Sequence, residues 1–113
     1  MFVVVCCVER ELSYVGNYDS LKEAQLAMLA DMQKWFVNQE DKYYEDDIVD
    51  IKLSVQCDKA IFFEDDGDIG VYETSAWWNG RGNNYDWKIF DITKEDGEII
   101  QELDNDNNIK KKG

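Results

Sequence analysis

Hydrophobic residues follow a helical period in only one long part of the chain, between Ser20 and Asn38. They recur there every three or four residues, as on the buried side of a surface helix. The residues of this stripe are Leu21, Ala24, Met28, Leu29, Met32, Trp35 and Phe36. Ser20 and Glu23 have the spacing of a capping box, in which each side chain bonds to the other residue's backbone amide. The pattern therefore predicts a helix over residues 20–38 that lies on a hydrophobic core.

A second, narrower line of apolar residues runs along the opposite side of the same predicted helix. It consists of Leu26, Ala30 and Val37. Scattered exposed apolar residues are common on protein surfaces and need no special explanation. The alternative is a self-association strip, at which the helix contacts a partner protein or a second copy of the chain in a homodimer.

The segments on either side of this helix have the patterns of strands and turns. Residues 2–9 are apolar on both faces, which is typical of a central strand covered on both sides, and residues 12–15 predict a short return strand. After a polar connection over residues 39–47, apolar and polar residues alternate from Val49 to Cys57. This alternation predicts a strand with one buried face and one exposed face.

Two later segments have turn residues between candidate strands, as in β-hairpins. The first turn contains Asp66-Gly67, and an Asp-Gly pair is a preferred hairpin turn. The second turn covers residues 79–84. A bulge near Ile89 or Phe90 would reconcile the two alternation patterns in the last of these strands. The strands predicted for the two hairpins cover residues 60–63, 69–74, 76–78 and 85–92.

These elements predict one α+β domain over residues 1–103, in the order β-β-α-β-β-β-β. A mostly antiparallel sheet of five to seven short strands carries one long helix on one face. A short strand over residues 98–103 completes the domain. Residues 104–113 are polar with three consecutive lysines near the end, so we expect a disordered C-terminal tail.

Charge narrows the classes of partner that the domain can bind. The chain has 12 Lys and Arg against 25 Asp and Glu, a net charge of −13. This charge argues against direct binding of nucleic acid, whose phosphates are held by Lys and Arg. It favours a protein partner with a basic surface, or it serves solubility alone. The candidate acidic surface consists of Asp41, Glu45, Asp46, Asp47, Glu64, Asp65, Asp66 and Asp68.

The longest apolar run and the cysteines predict a cytoplasmic chain that does not bind a membrane. Residues 2–8 form that run, which is far too short to span a bilayer. It also lacks the basic leader and cleavage site of a signal peptide. The three cysteines, Cys6, Cys7 and Cys57, do not form the even framework of a secreted domain of this size, so we expect them to be reduced. A disulfide between Cys57 and either Cys6 or Cys7 is the less favoured alternative.

No set of mutually supporting catalytic residues is present, so we expect no enzymatic activity, cofactor or metal ion. The chain has no histidine, which removes imidazole acid–base catalysis and zinc sites that need histidine. Gly80-Arg81-Gly82 lacks the lysine and the strand-to-helix context of a phosphate loop. The acidic run at residues 64–68 does not match a calcium-binding loop, because Phe62 would take the position of the first ligand.

The best candidate for a ligand site is an aromatic loop, in which aromatic residues flank the turn over residues 79–84. The loop consists of Trp77, Trp78, Arg81, Tyr85 and Trp87. Aromatic residues with a central arginine are typical of binding hot spots, and they can also stack on a sugar or a nucleotide base. The alternative is that these aromatics form part of the core. Neighbouring residues of a strand point to opposite faces, so Trp77 and Trp78 cannot both face the helix.

The sequence therefore supports three hypotheses of function. The first is a non-enzymatic acidic protein-binding module, in one version an inhibitor of the kind known from phages and mobile elements, whose carboxylates mimic nucleic-acid phosphates. The second is a small-ligand binding module for a sugar or nucleotide at the aromatic loop. The third is a structural domain with no assignable function.

Overall fold

The computed structural model describes residues 1–80 and 82–92. They form an α+β domain with two helices and a six-stranded antiparallel sheet, which confirms the predicted fold class. The elements in chain order are β1 (Phe2–Val8), β2 (Glu11–Tyr18), α1 (Leu21–Asn38), α2 (Glu45–Gln56), β3 (Phe63–Asp65), β4 (Ile69–Val71), β5 (Ser75–Gly80) and β6 (Asn83–Asp91). The predicted strand at 98–103, the predicted tail and Arg81 lie outside the described residues.

The strand order in the sheet is β2-β1-β6-β5-β4-β3. Four pairings join consecutive strands. One long-range pairing completes the sheet, in which β1 and β6 run antiparallel from Phe2 opposite Asp91 to Val8 opposite Tyr85. This pairing is continuous, so the predicted bulge near Ile89 or Phe90 is wrong. The sheet's irregularity lies instead between β1 and β2, where the register shifts between Val4 and Val5.

Helix α1 confirms the helix predicted from the hydrophobic stripe. The Ser20 hydroxyl accepts a hydrogen bond from the Glu23 amide at 3.1 Å, which satisfies one of the free N–H groups of the first turn. The Glu23 carboxylate accepts from the amide of Asp19 at 3.2 Å, one residue before the expected partner. The buried stripe includes Met28 and Met32, which are fully inaccessible to solvent.

The predicted strand from Val49 to Cys57 is wrong, because this segment belongs to helix α2. The element order is therefore β-β-α-α-β-β-β-β, with two helices in place of one. Ile48 and Val55 are buried and Ile51 is partly buried against the core, a spacing that matches one face of a helix. Three acidic residues occupy the first turn of α2, where the helix dipole favours negative charge.

Both helices contribute to a single core on one face of the sheet. Strand β1 was expected to be covered on both sides. Only its side with Val4 and Cys6 is buried, whereas Val3, Val5 and Cys7 are half-buried. The other side is less buried because both described helices pack on the face of the sheet that carries Val4 and Cys6. The sheet residues of the core are Val4, Cys6, Ile69, Val71, Ala76, Trp78, Tyr85, Trp87 and Ile89.

Candidate functional site

Most of the aromatic loop lies in the core. Trp78, Tyr85 and Trp87 are each 1% exposed. Trp78 packs edge-on against Phe36 of α1 with 4.7 Å between ring centroids, and it stacks on Tyr85 at 4.8 Å. Trp35 of α1 contacts Tyr85 from the same side, with 5.2 Å between centroids. These rings therefore hold the helix on the sheet.

Trp77 points to the opposite face of the sheet and is separated from the other loop aromatics. It lies opposite Gly70 in the pairing of β4 with β5. A Cβ atom at Gly70 would collide with the Trp77 indole and the Tyr72 hydroxyl, so glycine lets both rings lie flat on the strand. The Trp77 indole N–H is 3.4 Å from the Tyr72 hydroxyl, which in turn donates to Glu64. The structure thus does not bring the loop aromatics onto one surface.

The buried indole of Trp87 has a polar partner that the sequence interpretation missed. Its N–H donates to a carboxylate oxygen of Asp31 at 2.9 Å. Burial, followed by the nearby Asp31 carboxylate, raises the pKa of the Cys6 thiol to about 12. The Cys6 thiol therefore stays protonated and unreactive at neutral pH. The available signal was Asp31 itself, an acidic residue between two core methionines of α1.

The two acidic runs of the sequence meet through Tyr44, which is 6% exposed at the start of α2. Its hydroxyl donates to a carboxylate oxygen of Asp65 at 2.6 Å and lies 3.4 Å from a carboxylate oxygen of Asp68. This contact connects the β3–β4 hairpin to the first turn of α2. We call the combined surface the acidic cluster. It consists of Asp41, Glu45, Asp46, Asp47, Asp65, Asp66 and Asp68. Glu64, predicted for the same surface, is separate from it, because its side chain lies on the opposite face of the sheet and accepts a hydrogen bond from Tyr72 beside Trp77.

A cleft of about 280 Å³ opens within the acidic cluster. Its lining residues are Asp41, Tyr43, Tyr44, Asp68, Trp78, Asn79 and Gly80. The Tyr43 ring is 77% exposed and meets Tyr44 edge-on at 4.8 Å. The backbone amide of Asn79 donates to the backbone carbonyl of Asp68 at 2.8 Å, which fixes this side of the cleft. Carboxylates beside an aromatic ring can hold a guanidinium or ammonium group through charge and cation–π contacts.

Among residues 1–80 and 82–92, no Lys or Arg side chain forms an ion pair with a carboxylate of the acidic cluster. The ion pair found there joins Lys22 to Asp58 at 3.0 Å, away from the cluster, and both side chains are exposed. The Asp65 carboxylate accepts a hydrogen bond from the neutral hydroxyl of Tyr44. The Glu45 carboxylate accepts one from the neutral side-chain amide of Gln33 at 3.1 Å. The charge of the cluster is therefore directed to its surroundings.

The predicted self-association strip on α1 is not exposed as a unit. Val37 is 62% exposed and Ala30 is exposed, but Leu26 is half-buried against the core. Gln33, in the same row, is held by Lys52 of α2 through a 3.0 Å hydrogen bond. The packing of α2 beside α1 explains why the row is not free along its length.

Within the described part of the chain, no three His, Cys, Asp or Glu side chains are arranged to hold a metal ion. No described helix has the length and apolarity to cross a membrane. No protein-family model, curated protein or solved structure matches the chain. The candidate site therefore rests on the geometry of the acidic cluster.

Tyr44→Phe is expected to lower the free energy of unfolding by about 1–2 kcal/mol at neutral pH, because a hydrogen bond to a charged group is lost. Burial and then the bond to Asp65 raise the pKa of Tyr44 above the usual value for tyrosine. The folded chain keeps this proton at a pH where the unfolded chain releases it. The stability from Tyr44 is therefore complete below pH 10 and is lost as the pH rises further.

The measurement is urea denaturation of the wild type and the variant from pH 7 to pH 11. The stability difference between them should shrink above pH 10, since other titrating groups affect both proteins equally. Tyr43→Phe is the matched control, because Tyr43 is exposed and should change stability by less than about 0.5 kcal/mol. A constant difference across this range would contradict the assignment.

Proposed function

We propose that this chain is a non-enzymatic binding protein whose acidic cluster contacts a protein with a basic surface. The observation that carries the proposal is the Tyr44 hydroxyl bond to Asp65. It joins two acidic segments that are separate in sequence into one surface around a cleft. A charge that served solubility alone would need no such arrangement.

The chemistry of the cleft supports a cationic side chain as its occupant. Asp41 and Asp68 line the cleft beside the exposed ring of Tyr43, a combination that suits arginine in particular. Within the described residues these carboxylates have no ion-pair partner. An approaching basic surface would therefore be attracted without first displacing a cation of residues 1–80 and 82–92.

A partner that normally binds nucleic acid fits this surface best. Lys and Arg side chains on such a protein are spaced to hold phosphates, and carboxylates on a rigid surface can replace those phosphates. In this version the chain is an inhibitor that competes with nucleic acid. A small-ligand site at the aromatic loop has less support, because Trp78, Tyr85 and Trp87 are buried and Trp77 lies on the other face.

The test compares two triple variants of equal charge, each changing −13 to −10 by removing three carboxylates. The first, Asp46→Asn/Asp47→Asn/Asp66→Asn, removes charge from the acidic cluster. The control, Glu11→Gln/Asp19→Asn/Glu73→Gln, removes exposed charge elsewhere. Because charge-directed association depends on where the charge lies, only the first variant should lose its partner.

Each protein would be immobilised and exposed to a cell lysate at low and at high salt. The wild type and the control should retain basic, nucleic-acid-handling proteins at low salt, and added double-stranded DNA should release them. The cluster variant should retain them at least about tenfold less well, a loss of 1.4 kcal/mol or more. Thermal melting would verify that both variants are folded. Equal retention by the two variants would refute the proposal.

A further inference from the structure

The face of the sheet away from the helices, called the open face here, carries a connected apolar surface. Leu12 and Tyr14 of β2 are 76% and 65% exposed, and Phe90 of β6 is 47% exposed. The half-buried side chains of β1 lie between them. Single exposed apolar residues are ordinary, but a patch that spans three adjacent strands is typical of an interaction site.

Strand register places most open-face residues in two adjacent rows, and Phe90 lies opposite Val3 in the next row. Cys7 lies opposite Leu12 on one side and opposite Asp86 on the other. Val5 lies opposite Tyr14 and Lys88 in the same way. The first row is Leu12, Cys7, Asp86 and Trp77, and the second row is Tyr14, Val5, Lys88 and Ser75.

The charges balance on the part of the open face formed by β2, β1, β6 and β5. The alternation of side chains puts Asp86 and Lys88 of β6 on it as its two charged residues, one of each sign, in neighbouring rows. The rest of the described chain is strongly acidic, so this is a locally neutral surface. A basic partner would favour the acidic cluster, whereas nucleic acid or an anionic membrane would be repelled by a net charge of −13.

We propose that the open face packs against the open face of a second copy of this chain. The twofold axis lies in the plane of the contact and runs across the strands, at right angles to them. Such an axis, passing between Asp86 and Lys88, lays the first row of one copy over the second row of the other. Leu12 then meets Tyr14 of the partner subunit, and Lys88 meets Asp86 of the partner subunit. The arrangement is self-complementary, as a twofold contact requires.

The contact area is small for a stable dimer. Four strands about 4.8 Å apart and about 20 Å long offer a plane of roughly 400 Å² per copy. A stable interface of standard size needs about 800 Å² per partner. The dimer is therefore weak and dissociates on dilution. Because both copies are acidic, its dissociation constant should fall as salt screens their repulsion.

Sedimentation over a concentration series in high and low salt tests the dimer. Leu12→Lys/Tyr14→Lys should weaken it about tenfold or more, because lysines of the two copies would then face each other, although the variant lowers the net negative charge of each chain. Val37→Lys/Leu53→Lys makes the same charge change at exposed apolar positions on the helices and should not weaken it. A monomer at all concentrations and both salt conditions overturns the proposal, as does equal weakening by the two variants.

A charge exchange tests the register itself. Asp86→Lys should weaken the dimer, because two lysines of one copy would face two lysines of the other. Adding Lys88→Asp to this variant exchanges the two charges and should restore the wild-type dissociation constant. A double variant as weak as the single one rules out the proposed contact between Lys88 and Asp86 of the partner subunit.

Two cysteines report which surface becomes covered. Cys7 lies on the open face, and Cys57 is exposed at the end of α2. Alkylation of Cys7 should slow as the protein concentration rises through the dissociation constant, while Cys57 reacts at a constant rate. An unchanged Cys7 rate in a protein that does dimerise would place the contact elsewhere. A Cys7 that is already protected in the monomer would mean that the chain covers its own face, and either result overturns the proposal.

Discussion

Replacing Trp78 with alanine is expected to lower the free energy of unfolding by about 3–5 kcal/mol, the usual cost of truncating a buried tryptophan. Trp78 is 1% exposed and lies between Phe36 of α1 and Tyr85 of β6. A Cβ atom at Gly80 would overlap its ring, so the backbone approaches the indole closely. Neighbours held this tightly relax only partly, and the variant would retain a cavity between helix and sheet.

Trp77→Ala is the matched control, because it truncates the same residue type at the next position of the same strand. Trp77 is half-buried on the open face, and its loss should cost about 1 kcal/mol. Urea denaturation followed by far-ultraviolet circular dichroism would measure both variants, since tryptophan fluorescence changes with the substitutions themselves. A Trp78→Ala protein as stable as Trp77→Ala would contradict the core position of Trp78.

Ile48→Ala is expected to cost about 2–5 kcal/mol, because it removes three carbon atoms from a fully buried side chain. Ile48 is in the first turn of α2, and its amide bonds to the Tyr44 carbonyl at 3.1 Å. The substitution would therefore remove packing from the core beneath the acidic cluster. Alanine has a high helix propensity, so the helix itself should persist.

Val49→Ala distinguishes the helix from the strand that the alternating pattern predicted. In the helix Val49 is 41% exposed, and its truncation should change stability by less than about 0.5 kcal/mol. In a strand with Val49 and Ile51 on the buried face, the order of the two effects would be reversed. Chemical denaturation of Ile48→Ala and Val49→Ala decides between the helix and the strand. The decision needs only the order of the two stabilities, because each structure predicts a different variant to be the less stable one.

The two proposed contacts lie at opposite edges of the sheet and respond oppositely to salt. The acidic cluster adjoins β3 and β4, whereas the dimer contact centres on β2, β1 and β6, at the other end of the strand order. Attraction between the cluster and a basic partner weakens as salt screens it. Repulsion between two acidic copies weakens in the same way, so the dimer strengthens. Failure of one proposal would leave the other testable.

Local sequence signals determined the elements whose stabilising contacts are close in the chain. Helix α1 follows from a capping box and an apolar stripe that both lie within its own turns. The hairpins follow from turn residues, with Gly67 and Gly82 at positive φ values that favour glycine. The excess of acidic residues is likewise a property of composition. The fold class and the general character of the surface could therefore be predicted without tertiary contacts.

Only the tertiary structure decided which side chains of the other segments are buried. The segment from Ile48 to Val55 fits either a helix or a strand when read alone, and its packing beside α1 selects the helix. The pairing of β1 with β6 is between distant parts of the chain, and no local pattern specifies it. This pairing and the helix layer together bury Trp78 and leave Trp77 half-buried on the open face, although the two are neighbours in sequence. The same packing brings Tyr44 to Asp65, because a buried hydroxyl needs a partner and the folded chain offers this carboxylate.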